Sequence, residues 1–94
     1  MKYQDHFAEA LRRARKAKGL TQEDFSSLSS RTYVSTLERG IKSPTLSKIN
    51  ELAEILGVHP LTLIALAYST PKGQATPDRL LSQVGRELIA ITSK

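Results

Sequence analysis

The sequence predicts an all-α fold with six helices, on three observations. Apolar residues recur at three- and four-residue spacing along most of the 94 positions. A glycine or a hydroxyl N-cap separates each periodic run from the next. No run shows the apolar–polar alternation of a half-buried strand. Residues 1–68 read as one compact domain, residues 69–76 as a linker and residues 77–94 as an additional C-terminal helix.

The first helix covers residues 3–18, where Phe7, Ala10, Leu11, Ala14 and Ala17 form a single stripe. Gly19 supplies the left-handed residue that ends it. Thr21 caps a second helix, with Glu23 and Asp24 in the turn where the dipole favours acids and Phe25 and Leu28 pointing inward. Ser29-Ser30 form a stop and a fresh cap. The third helix runs from about Arg31 to Arg39, with Val34 and Leu37 on its buried side, and Gly40 ends it. After the turn Ile41-Lys42-Ser43-Pro44, a fourth helix from Thr45 to Leu56 carries Leu46, Ile49, Leu52, Ala53 and Leu56 on one face, closed by Gly57. His59 and Pro60 open a fifth helix, Leu61 to Tyr68, apolar on nearly every side, so that something must cover it. Pro71 and Gly73 mark the linker. Thr76-Pro77-Asp78 caps the sixth helix, whose stripe is Leu81, Val84, Leu88 and Ile91.

Composition narrows the function. The formal net charge is +5 and the isoelectric point about 9.8, a balance that favours anionic partners such as nucleic acid. Arg12, Arg13, Arg15, Lys16 and Lys18 crowd one short segment, either as a solvated face or as a general attraction for phosphate. With no cysteine there is neither a disulfide framework nor a thiolate metal site. No stretch approaches the length of a membrane span, and Met1 to Asp5 lack the apolar core of a signal peptide, so the expectation is a cytoplasmic protein without a membrane role. No glycine-rich phosphate loop, no His-Glu-x-x-His and no nucleophile beside a base is present. His6 and His59 stand far apart and suggest neither a metal site nor catalysis. The serine hydroxyls fit capping. The expectation is therefore a protein that is not an enzyme and needs no metal or cofactor.

The third helix carries the strongest functional signal. At about 100° per residue, with the core direction midway between Val34 and Leu37, Thr32 and Arg39 lie almost opposite the core, and Ser35 and Thr36 flank them. That face holds hydroxyls and an arginine, and no carboxylate. A helix facing a duplex needs that chemistry: short donors and acceptors for base edges, cations for phosphates, no repelling charge. Arg31, in the first turn, has the reach to join it. Glu38 falls about 70° from the core direction, too close to be freely solvated. Tyr33 could pack at the core edge or touch phosphate.

Four runs in order, Gly19-Leu20-Thr21-Gln22-Glu23-Asp24-Phe25, Tyr33-Val34-Ser35-Thr36-Leu37-Glu38-Arg39-Gly40, Ser43-Pro44-Thr45-Leu46 and Leu52-Ala53-Glu54-Ile55-Leu56-Gly57-Val58, resemble the Cro/C1-type (XRE) helix-turn-helix family. The resemblance covers roughly residues 7–66. It implies a lambda-repressor-like five-helix bundle, residues 1–68, with the third helix in the major groove of double-stranded DNA. By that resemblance Arg31, Thr32, Ser35 and Thr36 occupy base-reading positions. Gln22, Arg39 and Lys42 occupy phosphate-contacting positions, although Gln22 also suits an ordinary first turn. Arg15 and Glu38 match an ion pair tying the first helix to the third. The chain departs from the family pattern between Thr21 and Gly40, where it is two residues shorter and Ser29-Ser30 replace a glycine-centred turn.

Two function classes follow. One is a sequence-specific DNA-binding transcription regulator, repressor or activator, acting as a homodimer on a pseudo-palindromic operator. It could stand alone, control a restriction-modification system, or serve as an antitoxin with a toxin as protein partner. The other is an adaptor using the same fold for protein interaction, which would not need an acid-free third-helix face. Apolar faces on the fifth and sixth helices place the expected dimer interface at Leu63, Leu66, Leu81, Val84 and Leu88.

Overall fold

The computed structural model describes residues 3–27, 31–69 and 76–93. Every regular element among them is helical: α1 (Tyr3–Ala17), a single 3-10 turn η1 (Gln22–Phe25), α2 (Arg31–Glu38), α3 (Leu46–Leu56), α4 (Pro60–Tyr68) and α5 (Pro77–Thr92). The expected all-α architecture and order of elements are present.

One device ends three of the helices. After α2, Gly40 donates to the Leu37 carbonyl and Ile41 to that of Thr36, with Gly40 at φ +73°. This is the paired bonding of a Schellman turn, and its left-handed residue is costly for any side chain with a Cβ. The same pair of bonds closes α1 at Gly19 and α3 at Gly57. Side-chain acceptors open the later helices. Thr45 Oγ1 accepts from the Lys48 N–H at 3.2 Å, His59 Nδ1 from Leu61 at 3.0 Å and Thr76 Oγ1 from Arg79 at 3.4 Å. Pro60 and Pro77 stand where a helix has no use for an N–H.

The second element is much shorter than its pattern suggests. Asp24 turns its carboxylate back to the N–H and hydroxyl of Thr21, at 2.7 and 3.1 Å, closing a tight turn. Phe25, fully buried, pins that turn to the core. The exposed Ser26 and Ser27 follow as a turn, and hydroxyl residues compete with the helical ladder for backbone groups. The expected inward Leu28 and the Ser29-Ser30 stop lie outside the described residues, as does most of the linker.

The core gathers where α1 to α4 meet. Phe7, Ala10 and Leu11 from α1 close on Val34 and Leu37 from α2; Ile49, Leu52 and Leu56 from α3 and Leu63 and Ala67 from α4 complete it. Truncating a fully buried leucine such as Leu37 to alanine costs about 2–5 kcal/mol, so α2 is held firmly by its inner face. α1 is the spine, packing along both α4 and α2, while α3 and α4 meet at a bend of 104°. No single helix among the described residues is long and apolar enough to cross a membrane.

Two expectations are corrected. Leu46 is 73% exposed, at the first position of α3 and three residues before the buried Ile49. Leu63 is 1% exposed and belongs to the protein's own core, so it is not a surface available to a second chain. α5 lies against α4 but buries none of its residues, leaving Leu81, Val84, Leu88, Ile89 and Ile91 exposed. Open apolar grooves run between the two helices, lined by Leu61, Ala65 and Leu66 on one and Leu81 and Val84 on the other. Leu66 is half-buried against the core.

Candidate nucleic-acid interface

Glu38, the last residue of α2, organises the site. It is 4% exposed, and its carboxylate accepts from Arg15 Nε at 2.6 Å and Nη2 at 3.0 Å. Gln22 Nε2 donates to the same carboxylate at 3.1 Å, and Arg12 Nε lies 3.8 Å from it. Bidentate, charge-assisted contact is the strong form of such a pair. Arg15 also donates through Nη1 to the Leu20 carbonyl at 3.0 Å, so one guanidinium joins α1, the turn after it and α2. The hydrogen bond to Glu38 raises the Arg15 pKa above its ordinary value, against a smaller opposing effect of burial. This is the pair that the resemblance implies.

Because Glu38 is turned inward, the outer face of α2 carries no acid. Thr32 and Arg39 are exposed, and Ser35 and Thr36 are half-buried beside them. The Thr36 hydroxyl donates to the Thr32 carbonyl at 2.7 Å, which commits its proton and leaves its lone pairs outward as acceptors. Arg39 rests on the α2 backbone, its Nε 3.4 Å from the Ser35 carbonyl, a long contact that costs little to release. Lys42 is exposed in the turn that follows. The side chain of Arg31 lies outside the described residues, although its backbone starts α2.

Two residues differ from the simplest reading. Gln22 stands at the start of η1 as expected, but its amide is spent on Glu38 rather than displayed outward. Tyr33, left open between core edge and phosphate, packs against the core. Lys48 Nζ sits 5.6 Å from its ring centroid and 3.3 Å from Glu51. Burial, and secondarily the charge of Glu51, raise the Tyr33 phenol above its ordinary value.

Arg12 belongs to the basic cluster expected either as a solvated face or as a general attraction for phosphate. Its Nη2 donates to the Glu38 main-chain carbonyl at 2.6 Å. Its spacing of three from Arg15 puts both on one side of α1, but nothing in that spacing shows the carbonyl that Arg12 meets.

A helix-turn-helix family model matches residues 11–63, more than half of the chain, spanning the Arg15–Glu38 pair and all of α2. The chain belongs to the Cro/C1-type helix-turn-helix family, whose members are DNA-binding transcription regulators. It is 44% identical over 63 residues to a protein of Sinorhizobium fredii (strain NBRC 101917 / NGR234) named uncharacterized HTH-type transcriptional regulator y4dJ, a match covering 65% of this chain and 82% of that relative. No solved structure matches the chain significantly. The acid-free outer face of α2 is the candidate surface for DNA.

Proposed function

We propose that this protein is a sequence-specific, double-stranded DNA-binding transcription regulator that works in the cytoplasm as a homodimer on a pseudo-palindromic operator. The observation that carries the reading is the outer face of α2: Thr32, Ser35, Thr36 and Arg39, with the helix's one carboxylate locked inward on Arg15. Thr32, Ser35 and Thr36, joined by Arg31, read base edges in the major groove. Arg39 and Lys42 hold phosphates. Gln22 reaches phosphate by turning its amide away from Glu38, which keeps both bonds to Arg15.

Residues 1–68 form the DNA-binding unit, and residues 77–94 supply the dimer contact. One recognition helix reads too few base pairs for useful genomic specificity, and two helices about one turn of DNA apart resolve that shortage. With Leu63 buried, the interface we propose lies on the outer edge of α4 and on α5. Leu81, Val84 and Leu88, with Leu66 at the groove, stay accessible for a second copy. A stable pairing needs about 800 Å² from each partner, and a 16-residue helix with one apolar stripe is suited to supply most of it.

Selection from a random duplex library tests the reading. An enriched motif with two related half-sites about 10 base pairs apart is the expected result. No enrichment, or binding without salt dependence, overturns it.

A further inference from the structure

Among the last four carbonyls of α2, three find backbone partners. Ser35 accepts from the Arg39 N–H, Thr36 from Ile41 and Leu37 from Gly40. Among the described residues the carbonyl of Glu38 has no such backbone partner, and Arg12 Nη2 from α1 fills the place at 2.6 Å. Terminal helix carbonyls need a donor, and a cation there also complements the helix dipole.

We propose that Arg12 is a positioning residue for DNA recognition, fixing the C-terminal end of α2 on α1. The inference rests on the reading of α2 as the recognition helix. Val34 and Leu37 bury the inner face of α2, but apolar packing alone tolerates small changes of tilt and roll, because it is non-directional. The Arg15–Glu38 pair resists them only through the rotatable torsions of the Glu38 side chain. Arg12 grips the helix backbone itself, at the peptide that leads into Arg39. Base reading depends on hydrogen-bond geometry in the groove, whereas general attraction to DNA depends mainly on charge. Loss of the grip therefore falls mainly on sequence discrimination.

The loss should leave the fold intact. Without Arg12 the Glu38 carboxylate keeps both bonds to Arg15 and the one from Gln22, and the Arg12 side chain is 44% exposed. Water can then reach the freed carbonyl.

The test uses the full chain, an operator selected by the wild-type protein and a random duplex of equal length, each titrated across a series of salt concentrations. Arg12→Met should weaken operator binding about five- to tenfold and random binding by no more than about twofold, with an unchanged salt slope on the random duplex. Arg12→Lys, which keeps a charged donor, should recover part of the discrimination. Thermal melts of both variants close to the wild type would show that the effect is not unfolding. Equal losses on both duplexes with a salt slope lower by about 0.9 would make Arg12 a phosphate contact instead and overturn the proposal. Unchanged discrimination would also overturn it while leaving the DNA-binding reading intact. If the wild-type protein enriches no sequence, that reading fails first and the proposal falls with it.

Discussion

Replacing Arg15 with methionine removes the cation that neutralises a buried carboxylate. Glu38 is 3% exposed at its side chain and Arg15 13%, so the pair is largely out of water. Breaking a buried pair on one side costs about 3–5 kcal/mol, because the remaining charge is left without its partner. Two neighbours soften that cost here: Gln22 still donates to the carboxylate and Arg12 stands 3.8 Å away. Against this, the Leu20 carbonyl also loses its donor, worth about 1 kcal/mol. The expected loss is therefore near the lower end, about 3 kcal/mol. For a domain of this size that lowers the melting temperature by roughly 12–24 °C. Glu38→Leu alone should cost about 2 kcal/mol, since the stranded guanidinium keeps Leu20 and reaches solvent more easily than the carboxylate does. The double variant Arg15→Met/Glu38→Leu strands neither charge and should lose only about 1–2 kcal/mol, giving a coupling of about 3–4 kcal/mol. Urea unfolding followed by far-ultraviolet circular dichroism measures all four proteins. A double variant destabilised by the sum of the two single losses would show that the pair contributes no mutual stabilisation, and the account of Glu38 as an organising group would be wrong.

Other changes separate the roles of the surface residues. Thr32→Ala and Arg31→Ala should each cost about 1–3 kcal/mol on the selected operator and much less on random DNA; equal losses in filter-binding titrations would remove them from base reading. Lys42→Ala should weaken binding to all sequences and lower the salt slope by about one, and an unchanged slope would take Lys42 off the phosphates. Tyr33 has its phenol raised in the folded state by burial and by Glu51, so its contribution to stability is complete below the ordinary value of 10.0 and is lost as pH climbs through the raised one. Tyr33→Phe should thus lose less of its urea midpoint than the wild type above about pH 10, whereas identical alkaline profiles would contradict the burial argument. Leu88→Asp places a charge on the exposed α5 stripe without touching the core, and light scattering should find a monomer where the wild type is a dimer. A wild-type monomer at high micromolar concentration would refute the dimer.

Helix existence was legible wherever periodicity and a terminal signal agreed. Gly40 and Gly57 mark the ends of α2 and α3 because a left-handed residue is needed there, and Thr45 and Thr76 mark starts because their hydroxyls meet an orphan N–H. The second element is shorter than its start signal suggests. Thr21, Glu23 and Asp24 signal a helix start, yet nothing in a start signal says how long the helix lasts, and Asp24 uses its carboxylate to close a turn. Leu63 lies in the core rather than at the surface for a related reason. A helix apolar all round has no unique inner face in sequence, and only the packing of α1 and α3 decides that Leu63 goes in while Leu61 stays out. The placement of Glu38 was readable from its angle to Val34 and Leu37. The grip of Arg12 on a main-chain carbonyl was not, because five cations within seven positions look alike until the neighbouring helix is in place.

The position of Glu38 links stability to recognition through one charge. On the proposed reading, a carboxylate on the outer face of α2 would repel the phosphates that Arg39 approaches, so that face gains by lacking one. A neutral glutamine at position 38 would satisfy the same need on the DNA side, but it would not hold Arg15 in a bidentate, charge-assisted pair, and the 13%-exposed guanidinium would be left without its counter-charge. With glutamate, the acid is hidden from DNA and the cation it faces is accommodated inside the bundle. Arg12, drawn to the same residue, is then brought within reach of the backbone of α2. Exchanging Glu38 for glutamine should therefore leave the charge of the recognition face unchanged and still weaken both folding and sequence discrimination, a combination that simple removal of a repulsive charge would not produce.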